Sequence, residues 1–325
     1  MRIFKRILVS GSLVSLIACV QAQSADNPKP SDPIATIDNL AEKGIPKALD
    51  PKIAFPSWYA PIEPFRIIGD EKLGIYYVGT EGLAMYFIPT DEGHIVLDGG
   101  MPDQGSYVAD AIRKLGYDPK DIAVLLNSHA HLDHSGGLAE LQELSGAQLI
   151  ASEGDRSALE GGFYLGSEQD TNLNAPPVQV NIGFSGGFKF EQGGVSMAAK
   201  VTPGHSRGCT SWTMNIEQGG KSHEVLFFCS ATVAANRLIG PPQYEGIVDD
   251  YRKTFAMTKD WKPDVFLSNH PQFFGFKVKR EKLLAGDPLA FVGNEDFPKF
   301  IAKMAVDFET GLEKQRLKHN AIMSE

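Results

Sequence analysis

Three histidines and an aspartate fall within six positions, at His129, His131, Asp133 and His134, in a chain with eight histidines in all. Neutral imidazole nitrogens and a carboxylate oxygen are the usual ligands of catalytic zinc. Spacing adds to residue type. His129 and His131, two apart, project the same way from an extended segment, while Asp133 and His134 turn toward a second ion one step on. The apolar run Ile122-Ala123-Val124-Leu125-Leu126 precedes the cluster and predicts a buried strand. Leu138-Ala139-Glu140-Leu141 follows it and predicts a helix. The donors therefore sit where a strand ends and a helix starts, the place where layered α/β architectures hold ligands.

Two further histidines share that context. His205 lies in Thr202-Pro203-Gly204-His205-Ser206, directly after the strand expected over 198–201, and His270 follows the apolar run Val265-Phe266-Leu267. His94, His223 and His319 lack it and are read as surface or turn residues. The six donors divide into two ions: His129, His131 and His205 for one, Asp133, His134 and His270 for the other. Five imidazoles and one carboxylate favour zinc over iron or manganese. Three protein ligands per ion leave a position for water, which zinc acidifies toward a pKa of about 7, and a pair of ions about 3.5–4 Å apart can share one nucleophile. Asp133 has a second possible task, to position the nucleophile and then carry a proton. Asp98, in Asp98-Gly99-Gly100 at another strand end, is placed to orient a metal ligand from behind.

The elements that must carry these donors read as alternating strands and helices. Short strands are expected at 65–68, 73–78, 83–88 and 94–97, then a helix at 106–115. After the organising strand come a helix at 138–144, a strand at 147–150 and a helix at 153–160. More strands follow within 176–201, with a helix at 251–261, a strand near 264–268 and an amphipathic closing helix at 297–317. Gly161-Gly162-Phe163-Tyr164-Leu165-Gly166 lacks the Lys-Ser/Thr of a phosphate loop and reads either as a flap or as a plain surface loop. Trp58 and Tyr59 either pack the preceding segment down or line a pocket mouth.

Composition bounds the rest. The chain has 325 residues, 42% hydrophobic and 22% charged, with a formal charge of −9. That is ordinary globular usage with room for a large core. No basic stripe invites nucleic acid, and no interior apolar run approaches a membrane span. Arg2, Lys5 and Arg6 ahead of a short apolar stretch to Val20 read as an export signal over 1–22. Leu16-Ile17-Ala18-Cys19 matches a lipoprotein box, which would put a lipid anchor on Cys19, and Val20-Gln21-Ala22 offers an ordinary cleavage site; both stay open. Residues 23–55 read as a proline-containing arm and 56–325 as the catalytic domain. Cys209 and Cys229 fall on two strands joined by a turn at Gln218-Gly219-Gly220-Lys221, nearly opposite each other, and export permits a disulfide between them.

Taken together, Ser128-His-Ala-His-Leu-Asp-His134-Ser-Gly-Gly137, Thr202-Pro-Gly-His205 and Asn269-His270-Pro271 resemble the metallo-β-lactamase superfamily over roughly residues 55–320. Within it, Trp58 to Phe65, Tyr76-Tyr77-Val78-Gly79, Thr202 to Trp212 and Phe228-Cys-Ser-Ala-Thr232 resemble subclass B3. The resemblance implies an α+β fold, a four-layer αββα sandwich of two mixed β-sheets flanked by helices. It implies two zinc ions, opening of the β-lactam ring of antibiotics, and a periplasmic protein, either soluble or an outer-membrane lipoprotein, with a monomer preferred. It places Ser230 and Thr232 on the substrate carboxylate, Asn236 near the substrate carbonyl, and Trp58, Phe163 and Tyr164 around the groove. It also puts Ser230 where other subclasses carry a metal-binding cysteine. Lactonase-like relatives supply an acidic residue in that segment, and residues 225–236 contain none. The rival readings are an exported lactonase or other hydrolase of the same fold, and a zinc-binding protein without turnover.

Overall fold

Runs such as Ile95-Val96-Leu97 and Val124-Leu125-Leu126 have no polar face, so a strand built from them needs cover on both sides. The computed structural model describes residues 51–70 and 72–324 and supplies that cover. One sheet has the strand order β1 (Phe65–Gly69), β2 (Gly74–Tyr77), β3 (Tyr86–Ile88), β4 (His94–Leu97), β5 (Ile122–Leu126), β6 (Gln148–Ser152), β7 (Ile182–Phe184). Its first four strands pair antiparallel, and β4 to β7 pair parallel. The second sheet runs β12 (Val265–Ser268), β11 (Lys221–Phe228), β10 (Thr210–Gln218), β9 (Val195–Val201), β8 (Gly187–Gln192), antiparallel except for the β11–β12 pair.

Alternation along each strand assigns side chains to layers. Tyr86, Ile88, Ile95, Leu97, Val124 and Leu126 point between the sheets, where they share one core with Met197, Trp212, Met214 and Phe227. Their neighbours Phe87, Val96 and Leu125 point outward, into a second cluster with Val108 and Ile112 of α1 (Gly105–Lys114), Leu138 and Leu141 of α2 (Leu138–Ser145), and Ala158 and Leu159 of α3 (Glu153–Gly161). On the far side, Phe297 and Phe300 of the long helix α6 (Asp296–Met323) cover Phe228 and Phe266. Tyr251 of α4 (Ile247–Thr258) stacks on Phe308 of α6. The result is helix, sheet, sheet, helix, the expected four-layer sandwich.

Some expectations shift. The helix expected at 251–261 begins earlier, at Ile247. A helix, α5 (Phe276–Leu284), forms where none was expected, because its charged sequence has little apolar periodicity to announce it. His94 and His223 are buried inside β4 and β11 rather than at the surface: His94 packs between the rings of Phe87 and Tyr117, so its burial follows from aromatic packing that the local sequence does not show. The signal segment, Cys19 and residues 23–50 of the arm lie outside the described residues. Among the described residues no helix is long and apolar enough to cross a membrane.

Cys209 and Cys229 form a disulfide. The hairpin that brings them together turns through Gly219 and Gly220, with φ of 61° and 75°. Such a two-residue turn needs left-handed backbone at both positions, which glycine adopts without a Cβ clash. The bond closes a sequence separation of 20 residues. Replacing both cysteines with serine is expected to lower the unfolding free energy by about 3 kcal/mol through freedom regained by the unfolded chain, measured by denaturant melts of the metal-free protein.

Candidate metal centre

The donors arrive at one edge of the sandwich because four strands end there. β5 leads into the loop of His129 and His131 and the single helical turn Leu132–Ser135 that carries Asp133 and His134. β9 leads to His205, β12 to His270 and β4 to Asp98. All six donor residues are buried. Two pairs of glycines let the backbone close up behind them. Gly99 N donates to His134 O at 2.8 Å and Gly137 N to Gly100 O at 3.3 Å. A Cβ on Gly137 would collide with Gly99 O, and one on Gly136 with the backbone of Met101 and Pro102.

Two triads result. Asp133 Oδ2 lies 3.1 Å from His134 Nε2 and 3.5 Å from His270 Nε2, and those two nitrogens are 3.2 Å apart. His129 Nε2 lies 3.1 Å from His205 Nε2, and His129, His131 and His205 offer donors that all fall within 4.8 Å of one another. His129 also groups with Asp133 and His134 at that limit, so the triads are adjacent. Four ligands set tetrahedrally at bond lengths near 2.0–2.1 Å stand about 3.3 Å apart, which the second triad's edges bracket.

Hydrogen bonds behind the rings decide which nitrogens face inward. His205 Nδ1 donates to Thr232 O at 2.7 Å, and His270 Nδ1 donates to Gly82 O at 3.1 Å. Ser128 Oγ lies 3.1 Å from His129 Nδ1. With Nδ1 carrying the proton, Nε2 offers a lone pair. Lone pairs facing each other near 3 Å in a buried site repel unless a cation lies between them, and a borderline-soft cation suits this donor set. The residues fit two zinc ions.

Asp98 serves the site from behind. It holds φ 64° and accepts from Ser128 N at 2.7 Å and Asn127 Nδ2 at 3.2 Å, with Oδ2 3.9 Å from His134 Nδ1. Burial pushes its carboxyl up to about 6, against the pull of His134 and these hydrogen bonds. Burial also acts against ionised Asp133, but His134 and His270 outweigh it and hold Asp133 well below the usual carboxylate range. Burial, with the mutual repulsion of the rings, holds His129 and His131 well below 6.5. It pushes His205 down to about 4. The imidazoles of this triad are thus neutral and ready to coordinate near neutral pH.

The residues expected to meet substrate lie around this centre in different ways. Trp58 is half-buried, its ring 5.8 Å from that of His270 and stacked on Phe55. Tyr164 stacks on His131 at 4.2 Å, and its hydroxyl donates to Asn236 Oδ1 at 2.9 Å. Phe163 packs against the outer core. The loop they share is tied down by Gln243 Nε2 on Leu165 O and Arg237 on Gly166 O. Asn236 takes a different part from the one expected beside a substrate carbonyl: its Nδ2 donates to His205 O and Tyr251 OH, so its amide is spent inside the protein. The Thr232 hydroxyl stands 3.3 Å from both His205 Nδ1 and Ser230 Oγ. Two residues that join the site escaped sequence reasoning. Tyr251 donates to Thr232 O at 2.6 Å. Asp155, in the first turn of α3, is buried.

Comparison with known proteins agrees with this geometry. Residues 79–218 match the metallo-β-lactamase superfamily model. The fold is similar to that of BJP-1, a subclass B3 metallo-β-lactamase of Bradyrhizobium japonicum, with 45% identity and a TM-score of 0.78 over 82% of this chain and 99% of that one. FEZ-1 from Legionella gormanii is similar at 32% identity and a TM-score of 0.74, over 79% of this chain and 98% of that one. An N-acyl homoserine lactonase of Bacillus cereus is 24% identical over 244 residues, which span 66% of this chain and 85% of that protein. The chain belongs to the metallo-β-lactamase superfamily, as a zinc-dependent hydrolase of that fold. Its near relatives are of the B3 type.

Two outcomes follow from the donor geometry. His270→Ala leaves the second triad with two donors, and zinc-supplied protein is expected to retain one tightly held equivalent in place of two, read by metal analysis after dialysis. An imidazole free in the unfolded chain takes up its proton near 6.5, but His205 in the fold does so only near 4. The metal-free fold therefore loses stability as pH falls from about 6.5 to about 4, because there the unfolded chain binds the proton and the fold does not. Asp98, raised, opposes this between about 6 and its ordinary value of 3.8. His205→Asn is expected to remove a contribution on the order of 3 kcal/mol across that window, read from the pH dependence of unfolding in chelator.

Proposed function

We propose that this protein hydrolyses the β-lactam ring of antibiotics. The observation that carries the reading is the pairing of two complete donor triads with 45% identity across 99% of a subclass B3 enzyme. When bound, two zinc ions supply a nucleophile from water at neutral pH and polarise a carbonyl. The chain supplies the rest. Five imidazoles with inward nitrogens fix where the reacting carbonyl and the leaving nitrogen must lie. The ionised Asp133 orients the nucleophilic water, takes its proton and passes it to the ring nitrogen as the amide bond breaks. Trp58, half-buried beside His270, and Tyr164, flat against His131, border the groove on opposite triads. Ser230 and Thr232 face the substrate carboxylate.

Lactone hydrolysis is the second reading, favoured by the likeness to N-acyl homoserine lactonases. The absence of any acidic residue in 225–236 weighs against it. We also infer that residues 1–22 direct export to the periplasm, with Cys19 either lipid-bearing or removed. The basic start and short apolar run support export, as does the disulfide, which an oxidising compartment preserves. The catalytic domain is taken to span 56–325 and to act as a monomer.

A chromogenic cephalosporin, a carbapenem and an N-acyl homoserine lactone, assayed side by side, separate the readings. Both lactams are expected to be hydrolysed, activity to vanish with EDTA, and zinc to restore it. Turnover of the lactone alone would establish the second reading, and inertness toward all three a zinc-binding protein without catalysis.

A further inference from the structure

The three-histidine triad is assembled from both halves of the sandwich. His129 and His131 follow β5 of the first sheet, and His205 follows β9 of the second. Something must hold these two loops at a fixed separation, because zinc tolerates little error in ligand position. The buried Asp155 touches both. Its Oδ2 accepts from Ala130 N at 3.0 Å, between the first two ligands, and from Ser206 Oγ at 2.7 Å, next to the third. Its Oδ1 accepts from Gly208 N at 2.7 Å. Among the described residues no lysine or arginine forms an ion pair with it. A buried carboxylate whose hydrogen bonds all come from neutral donors is costly to maintain even with the Arg207 charge nearby, so the fold retains it against that cost. α3 and the 202–208 loop are in close contact here: a Cβ on Gly154 would come within 2.8 Å of Arg207 O and Gly208 Cα.

We propose that Asp155 is a positioning residue for the metal site of His129, His131 and His205, acting as a two-oxygen strap between the loops that carry them. It touches no reacting atom. The second triad is held from behind by Gly82 O and Asp98 instead, so the strap acts on one site of the two. Asparagine cannot replace it. One oxygen becomes an NH₂, which turns a donor toward a donor at Gly208 N or at Ala130 N and Ser206 Oγ.

The test titrates zinc into chelator-stripped full-chain protein at 25 °C and follows each imidazole by histidine-selective NMR. This reads metal binding and is independent of which substrate the enzyme turns over. In Asp155→Asn, zinc affinity at the three-histidine site is expected to fall about 10–100-fold, with the Asp133, His134 and His270 site unchanged. Ser206→Ala, which removes one donor and leaves both backbone donors bonded, is expected to weaken the same site by less. If both sites weaken together, or if both affinities hold while only the melting temperature drops, Asp155 is structural filling and the proposal fails. Should Asp155→Asn not fold, Ser206→Ala decides: unchanged affinity at the three-histidine site overturns the proposal.

Discussion

A neutral imidazole has one lone pair and one N–H, and a metal site built from five of them depends on where each N–H goes. In this protein the N–H groups whose partners are visible point backward. Thr232 O receives that of His205 and Gly82 O that of His270, with Ser128 Oγ beside His129. The two carbonyls settle tautomer and ring orientation for His205 and His270, and burial holds these rings, with His129 and His131, toward the neutral form, whereas Asp133 holds His134 above its ordinary range. The cost is a set of lone pairs crowded within about 3 Å in a buried site, which a cation relieves. Metal binding and folding are coupled here through the same contacts.

Backing the rings requires that the main chain come unusually close to itself. Gly99 meets Gly137 across a gap that a Cβ on either would fill, and a Cβ on Gly136 would strike Met101 and Pro102. Asp98 sits in left-handed backbone at the start of that contact, a conformation that costs about 1–2 kcal/mol and is sustained by its bonds to Ser128 and Asn127. Trp212 Nε1 donates to Asn127 O, and Thr210 N to Ser128 O, so the end of β5 is stitched to the second sheet just before the first ligand. The glycines of the histidine motif are thus packing requirements of the site.

A second, uncharged network surrounds His205. Tyr164 bonds to Asn236, Asn236 to His205 O and Tyr251, and Tyr251 to Thr232 O, the same carbonyl that backs His205. Tyr164 meanwhile stacks on His131. One aromatic residue therefore touches one ligand and braces the support of another, and residues from the 161–166 loop, the 230–236 segment and α4 become a single unit. Substitutions in this network disturb the bonds that hold His205 in place.

Local sequence determined the strands and most helices, since apolar runs with period 2 or 3.6 can be buried in few ways. It also determined the six donors: histidine placed directly after a buried strand is a local pattern, and so is the glycine-turned hairpin that pairs Cys209 with Cys229. Tertiary structure alone decided what supports them. Gly82 and His270 are 188 residues apart, and Asp155 and Gly208 are 53 apart. No periodicity reports a hydrogen bond between such positions. The helix α5, the buried His94 and the inward engagement of Asn236 belong with these, because each is specified by neighbours brought in from elsewhere in the chain. Donor identity is a property of residue type and strand end, whereas donor orientation is a property of contacts that exist only once the two sheets have closed on each other.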